Sequence, residues 1–221
     1  DITKYLKPGE KNTLAVRLEN LPESSRWYPG AGLYRNVHLI ITEDAYIPVW
    51  GTYITTPSVN EKFAKVNVRT KVVLPEGADP AKYSVETSVW NPNKQKLTAV
   101  RTSLAQMKYN NNQAEQEFVI QAPSLWSPEM PALYSAETRL YEGDKLKDIY
   151  TTPFGIRSIE IIPDKGFFLN GKRTVFKGVC NHHDLGPLGA AVNDAAIRRQ
   201  IRILKDMGCN AIRTSHNMPA P

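Results

Sequence analysis

The sequence predicts a mainly β protein with a C-terminal α/β part. Three observations predict it. Short segments alternate apolar and polar residues with period two through the first 160 or so positions. Clusters of Pro, Gly and Asn punctuate those segments. Near residue 165 the grammar changes to strand, helix and strand. Period two marks half-buried strands, and a switch to a helical period between two strands marks a βαβ unit with a parallel sheet.

Residues 1 to about 45 read as strands around a loop. Leu14, Val16 and Leu18 alternate with Ala15, Arg17 and Glu19, and Val37, Leu39 and Ile41 alternate with His38 and Ile40. Between them, Trp27-Tyr28-Pro29-Gly30-Ala31-Gly32 is a loop by its Pro and Gly content. Its aromatic pair has two readings, an exposed stacking surface or a packed corner between domains. The corner is preferred, because large aromatics chiefly contribute burial.

Residues 46–160 give more strands and no convincing helix. Val66, Val68 and Thr70 share a face, as do Val85, Thr87 and Val89, and further strands run through Glu117–Ile120 and Ala136–Tyr141. Turn signals separate them at Pro75-Glu76-Gly77, Asn91-Pro92-Asn93, Asn110-Asn111-Asn112 and Glu142-Gly143-Asp144. Strands at this spacing over a span of about 100 residues predict a complete immunoglobulin-like β-sandwich.

From residue 161 onward, Asn170-Gly171 sits between Phe167–Leu169 and Arg173–Val175, a strong hairpin signal. Val175 to Asn181 reads as a buried strand. A helix follows, capped by Asn193 or Asp194, because a short polar side chain accepts from free N–H groups of the first turn. Ala196, Ile197, Gln200, Ile201, Ile203, Leu204 and Met207 form one face, Arg198, Arg199, Arg202, Lys205 and Asp206 the other, and Gly208 ends the helix. Ala211 to Ser215 is a second strand. Neither end stands alone: two strands have too little partner surface, and one βαβ unit cannot close a barrel. The chain therefore reads as an internal piece of something larger.

Composition excludes some functions. Of 221 residues, 41% are hydrophobic and 23% charged, ordinary for a globular protein. No run reaches the roughly 20 apolar residues of a membrane span. The net charge is +6, but the basic residues are scattered, which argues against a nucleic-acid partner. Cys180 and Cys209 lack metal-site spacing and read as buried thiols.

The chemistry-bearing residues gather at the strand ends of the last section. His182 and His183 follow the first parallel strand; Arg213 and His216 close the second. In parallel α/β folds ligands bind at the carboxyl ends of strands, where the loops converge. Asn181, Asp184 and Asn217 are further candidates beside them. His182, His183, Asp184 and His216 are also conceivable metal ligands, but adjacent residues on an extended chain point apart, so no metal and no cofactor is expected. Ser215 beside His216 lacks the Gly-x-Ser-x-Gly elbow of a nucleophile. Period two puts Arg213 and His216 on opposite faces, so His216 must lie past the strand end, where the backbone turns. Asp184 is the one acid near a strand end, so a pair of catalytic carboxylates is not at hand.

The run Gly208-Cys209-Asn210-Ala211-Ile212-Arg213-Thr214-Ser215-His216-Asn217-Met218-Pro219 resembles the first signature of glycoside hydrolase family 2, with Asn217-Met218 departing from the family's usual spacing. Phe167–Lys172, Phe176–Val179 and His182 resemble the family's entry into its barrel. Leu125-Trp126-Ser127-Pro128, Leu133-Tyr134 and Phe154-Gly155-Ile156-Arg157 are similar to its immunoglobulin-like domain, and Trp27 to Val37 to the end of its jelly-roll domain. The resemblance implies the end of a jelly-roll sugar-binding domain over 1–45, the sandwich over 46–160 and the start of a TIM (β/α)8 barrel over 161–221.

It further implies a retaining β-glycosidase, a β-galactosidase first, with a β-glucuronidase or β-mannosidase of the same family as alternatives. The paired Glu residues would lie beyond Pro221, so the chain alone is expected to be inactive. His182, Arg213 and His216 would line the sugar pocket, with Arg213 orienting the nucleophilic carboxylate and the two histidines donating to sugar hydroxyls. The expected partners are an oligo- or polysaccharide β-glycoside and the remainder of the same polypeptide, with a homo-oligomer left open. A periplasmic or secreted setting is favoured over the cytoplasm. The competing reading is a non-catalytic β-sandwich that binds carbohydrate or protein.

Overall fold

The computed structural model describes residues 1–19, 21–23, 32–33, 36–106, 113–182 and 184–216. The chain forms two compact units. One comprises Leu39–Val179 with Leu204–Ile212, the other Asp1–His38 with Cys180–Ile203 and Arg213–Pro221.

The larger unit is built on an antiparallel sandwich. Its strands are β1 (Thr52–Val59), β2 (Phe63–Lys71), β3 (Tyr83–Trp90), β4 (Lys96–Ser103), β5 (Gln113–Gln121), β6 (Tyr134–Glu142) and β7 (Lys145–Phe154). One sheet has the order β1-β2-β5 and the other β4-β3-β6-β7. The alternation read from the sequence is the alternation of burial. Along β2, Ala64, Val66, Val68 and Thr70 are buried while Lys65, Arg69 and Lys71 are exposed. Val85, Thr87 and Val89 do the same in β3. The inner faces enclose two apolar clusters, one around Val66, Val68, Phe118, Ala136 and Ile156, the other around Ile47, Val72, Val85 and Leu140.

A polar pin crosses this apolar layer. Gln116 of β5 is 3% exposed, and its Nε2 donates to Val85 O (3.1 Å), Val100 O (2.8 Å) and Thr102 Oγ1 (3.1 Å) on the opposite sheet. Beside it the buried hydroxyls of Thr87 and Thr138 meet at 3.1 Å. A buried polar group without partners costs about 1–3 kcal/mol, so these contacts fix how the sheets face each other.

The two prolines within strands occupy edge strands, where a missing N–H is tolerated. Pro57 sits at a register shift in β1, and Pro153 lies in β7. The segment leading into β1 is fastened to β7 by side chains. Ile47 N–H donates to Asp148 Oδ2 (2.8 Å), Trp50 N–H to the Tyr150 hydroxyl (3.0 Å), and Thr52 meets Thr152 hydroxyl to hydroxyl. A bulge skips Lys147 in the β6–β7 register. Lys147, 6% exposed at its side chain, reaches Glu43 (2.6 Å), Asp44 (2.9 Å) and Glu142 (3.7 Å). Bulges re-aim side chains in this way.

A second small sheet follows, β8 (Ile159–Ile162), β9 (Gly166–Leu169) and β10 (Lys172–Arg173), in the order β10-β9-β8. The predicted hairpin is its β9–β10 turn, with Asn170 and Gly171 both at positive φ (52° and 75°) as a type I′ turn requires. Asn170 also accepts from Ser158 N–H (3.0 Å) and donates to Trp126 O (3.0 Å).

Beyond the hairpin come β11 (Gly178–Asn181), α1 (Asp194–Asp206) and β12 (Ala211–Thr214), with β11 and β12 paired. Asn193 caps α1 by accepting from Ala196 N–H (2.9 Å). Gly208 (φ 86°) closes it, Cys209 N–H reaching Leu204 O (3.0 Å).

Three expectations are corrected. Among the described residues no strand forms over 1–45, and Leu14, Val16, Leu18, Val37, Leu39 and Ile41 are exposed. Alternation supplies a face, but a strand also needs a hydrogen-bonded neighbour, and no ladder takes these segments up. The strand expected over Val175–Asn181 is shorter, starting at Gly178, and Val175 and Phe176 are exposed. Cys180 is exposed, because a two-stranded pair covers neither of its faces fully, and Cys209, between α1 and β12, is half-buried.

Candidate site at the parallel strand ends

The roots of β11 and β12 are set by Asn210. Its Oδ1 accepts from Lys177 N–H (2.8 Å), its Nδ2 donates to Val175 O (3.0 Å), and its own N–H donates to Lys177 O (2.8 Å). Five residues on, Ser215 N–H donates to Asn181 O (2.9 Å). The pairing advances in the same direction along both strands, so they are parallel. Gly178 permits the close approach: a Cβ there would stand 2.3 Å from Ala211 O.

At the carboxyl end two of the candidate side chains, His182 and His216, come together. His182 immediately follows β11. β12 ends at Thr214, and His216, two residues on, adopts a left-handed φ of 63°. The backbone turns where the strand period requires it to, and the His182 and His216 rings meet edge to face with centroids 5.7 Å apart. Arg213 projects from β12, and its Nη1 donates to Cys180 Sγ at 3.8 Å. Ser215, 3% exposed, anchors the turn between Arg213 and His216. His182, Arg213 and His216 are exposed, while Asn181 and Asp184 are half-buried. His183 and Asn217 lie outside the described residues, as do Trp27 and Tyr28.

Sequence reasoning overlooked two neighbours. Cys180 accepts from Arg213, and its strand position, two residues before His182, was the available signal. Ser215 serves as the buried post of the turn, which no sequence pattern marks. Among the described residues no group of three or more His, Cys, Asp or Glu side chains is placed to hold a metal ion. The chemistry on offer is hydrogen-bond donation from two imidazoles and a permanent positive charge in a rigid fork. Such a set suits a polyhydroxylated ligand or a carboxylate.

A β-sandwich followed by a strand–helix–strand unit with polar side chains at its strand ends defines a β domain joined to the start of an α/β domain. The chain belongs to glycosyl hydrolases family 2: residues 46–157 match the model of that family and residues 160–220 that of its TIM barrel domain. A β-galactosidase of Bacteroides ovatus is 44% identical over all of this chain, which spans 26% of that relative. A β-glucuronidase of Bacteroides fragilis is 33% identical over 98% of the chain, spanning 32% of the relative. The crystal structure of a family 2 member from Bacteroides cellulosilyticus superposes with a TM-score of 0.90 at 37% identity, over the whole chain and 30% of that protein. The chain thus spans about a quarter of the length of relatives such as the first of these.

Proposed function

We propose that this chain forms part of a retaining β-glycosidase, a β-galactosidase first, in which His182, Arg213 and His216 grip the terminal sugar. The observation that carries the proposal is the edge-to-face meeting of the His182 and His216 rings at the ends of two adjacent strands, with Arg213 of the second strand against Cys180 of the first. Arg213 holds the nucleophilic carboxylate ionised by Coulomb attraction and orients it. The histidines donate to sugar hydroxyls, interactions that strengthen as oxocarbenium character develops. Retaining hydrolysis needs two carboxyl groups about 5 Å apart, which further barrel strands would supply. The chain alone is therefore expected to hydrolyse nothing, and no cofactor is invoked.

Support for a covalent intermediate comes from a likeness. A Bacteroides uniformis β-glucuronidase, 28% identical over 81% of this chain, is known covalently bound to cyclophellitol-6-carboxylate aziridine. Galactose is preferred over glucuronic acid as the sugar because the 44% identical relative is a β-galactosidase. The test is the full-length enzyme on a panel of nitrophenyl β-glycosides, with and without Arg213→Ala. Removing a group that stabilises transition-state charge costs about 10²–10³ in kcat. Turnover of the galactoside with that loss is the expected result. Turnover of no β-glycoside, or a near-normal rate in the variant, overturns the reading.

A further inference from the structure

We propose a second carbohydrate-binding groove on the outer face of the four-stranded sheet, centred on Trp90. It rests on the reading of the protein as a glycan-acting enzyme, but it shares no residue with the strand-end site. Along β3 the side chains alternate inward and outward. Val89 is fully buried, so Trp90 faces out, half-buried on the sheet. Its cross-strand neighbour is Ser135 on β6, which in turn faces Pro153 on β7. Together with Leu133, Glu137 and Lys94 these residues line a groove of about 390 Å³.

That lining has the chemistry of a sugar site. A pyranose presents one face of C–H groups and a rim of hydroxyls. The indole and the Pro153 ring supply flat apolar surface for the first, while the Glu137 carboxylate, the Ser135 hydroxyl and the Lys94 ammonium supply an acceptor and donors for the second. Small-ligand sites generally occupy about 300–1,000 Å³, with apolar and aromatic walls and a few placed polar groups.

The Glu137 carboxylate and the backbone that carries Lys94 are held in advance. Glu137 Oε1 takes both Arg139 Nε and Nη2 at 2.9 Å. Lys94 sits at φ 62° in a turn clamped by Asn91, whose Oδ1 accepts from Asn93 and Gln95 N–H at 2.9 Å. Pre-set groups lose less freedom on binding. The groove is open, so it takes rings of an extended chain and not an enclosed monosaccharide. Its effect is to keep a polymeric substrate near the enzyme by adding a second point of attachment.

The test is a titration of the whole 221-residue chain with β-1,4-galactotriose, followed in ¹H–¹⁵N spectra. The expected result is a saturable shift of the Trp90 indole N–H and of the Ser135 and Glu137 amides, with a Kd in the millimolar range. Trp90→Ala should abolish it while the remaining sheet amides stay dispersed. Glu137→Gln and Lys94→Ala, which remove no buried surface, should each weaken it several-fold. No saturable response up to the solubility limit of the sugar overturns the proposal, as does a response that survives Trp90→Ala. A galactoside-hydrolysing full-length enzyme with a silent Trp90 sinks the groove alone. Shifts confined to His182 and His216 likewise place binding at the strand ends and refute it.

Discussion

Gly178 sets how closely the two barrel strands approach. A methyl group there would lie 2.3 Å from the Ala211 carbonyl oxygen, which is backbone and cannot swing aside. Gly178→Ala should therefore force β11 from β12, cost roughly 1–3 kcal/mol of local stability, and separate the His182 and His216 rings. Loss of the ring-to-ring nuclear Overhauser effect checks this; an unchanged signal contradicts it. Gln116 plays the matching part in the sandwich. Gln116→Ala removes the donations to Val85 O, Val100 O and Thr102 Oγ1 across the sheets, so a loss of about 1–3 kcal/mol is expected in urea unfolding. Retained stability would show the pin to be dispensable. Neither residue announces its role in sequence. A glycine in a strand and a glutamine at an inward position are single letters whose meaning comes from the neighbouring strand. The strand-end placement of His182, Arg213 and His216 was legible, because periodic runs locate the strand ends.

At the scale of elements, the segment leading into β1 is held by charge. The Lys147 ammonium beside Glu43 and Asp44 holds both carboxyls below the ordinary carboxylate range, and the same contacts push Lys147 up. A depressed folded-state pKa gives stability that is present above the unfolded value and lost as pH falls through the folded one. The fastening should thus hold at neutral pH and loosen on acidification below about pH 4. A raised Lys147 pKa adds stability below its unfolded value, lost only as pH rises through the folded one. Hydrogen exchange at Ala45 and Ile47, referenced to amides of β3, should show protection falling selectively in acid. Lys147→Met should weaken it already at neutral pH, and equal acid sensitivity of lead-in and β3 amides would contradict the account. The sequence did not show this device. Lys145-Leu146-Lys147-Asp148 reads as a polar edge, and only the bulge turns Lys147 toward its partners. Strands with clean alternation, such as Phe63–Lys71, were legible. The edge strands β1 and β7, interrupted by Pro57 and Pro153, were not.

For the molecule as a whole, the sandwich encloses its own core, since both apolar clusters fall between Ala45 and Ile156. The rest does not. Of the apolar face of α1 only Leu204 is buried, and Ile201 and Met207 are 48% and 68% exposed. Large apolar patches on a surface promote association. Light scattering should find the 221-residue chain self-associating with rising concentration, and residues 39–179 markedly less so; equal behaviour would contradict this. The same partial burial explains why the βαβ grammar was legible while the burial of Val175–Asn181 was overestimated. Period and caps are local signals, whereas burial depends on what surrounds the strand.

The central claim is that His182, Arg213 and His216 meet a sugar. It is tested most directly by a crystal structure of the full-length enzyme with a terminal galactose trapped in its barrel. The account predicts sugar hydroxyls within hydrogen-bonding distance, about 3 Å, of His182 and His216, and Arg213 directed at the carboxylate beneath the ring. A trapped sugar that touches none of the three would contradict it.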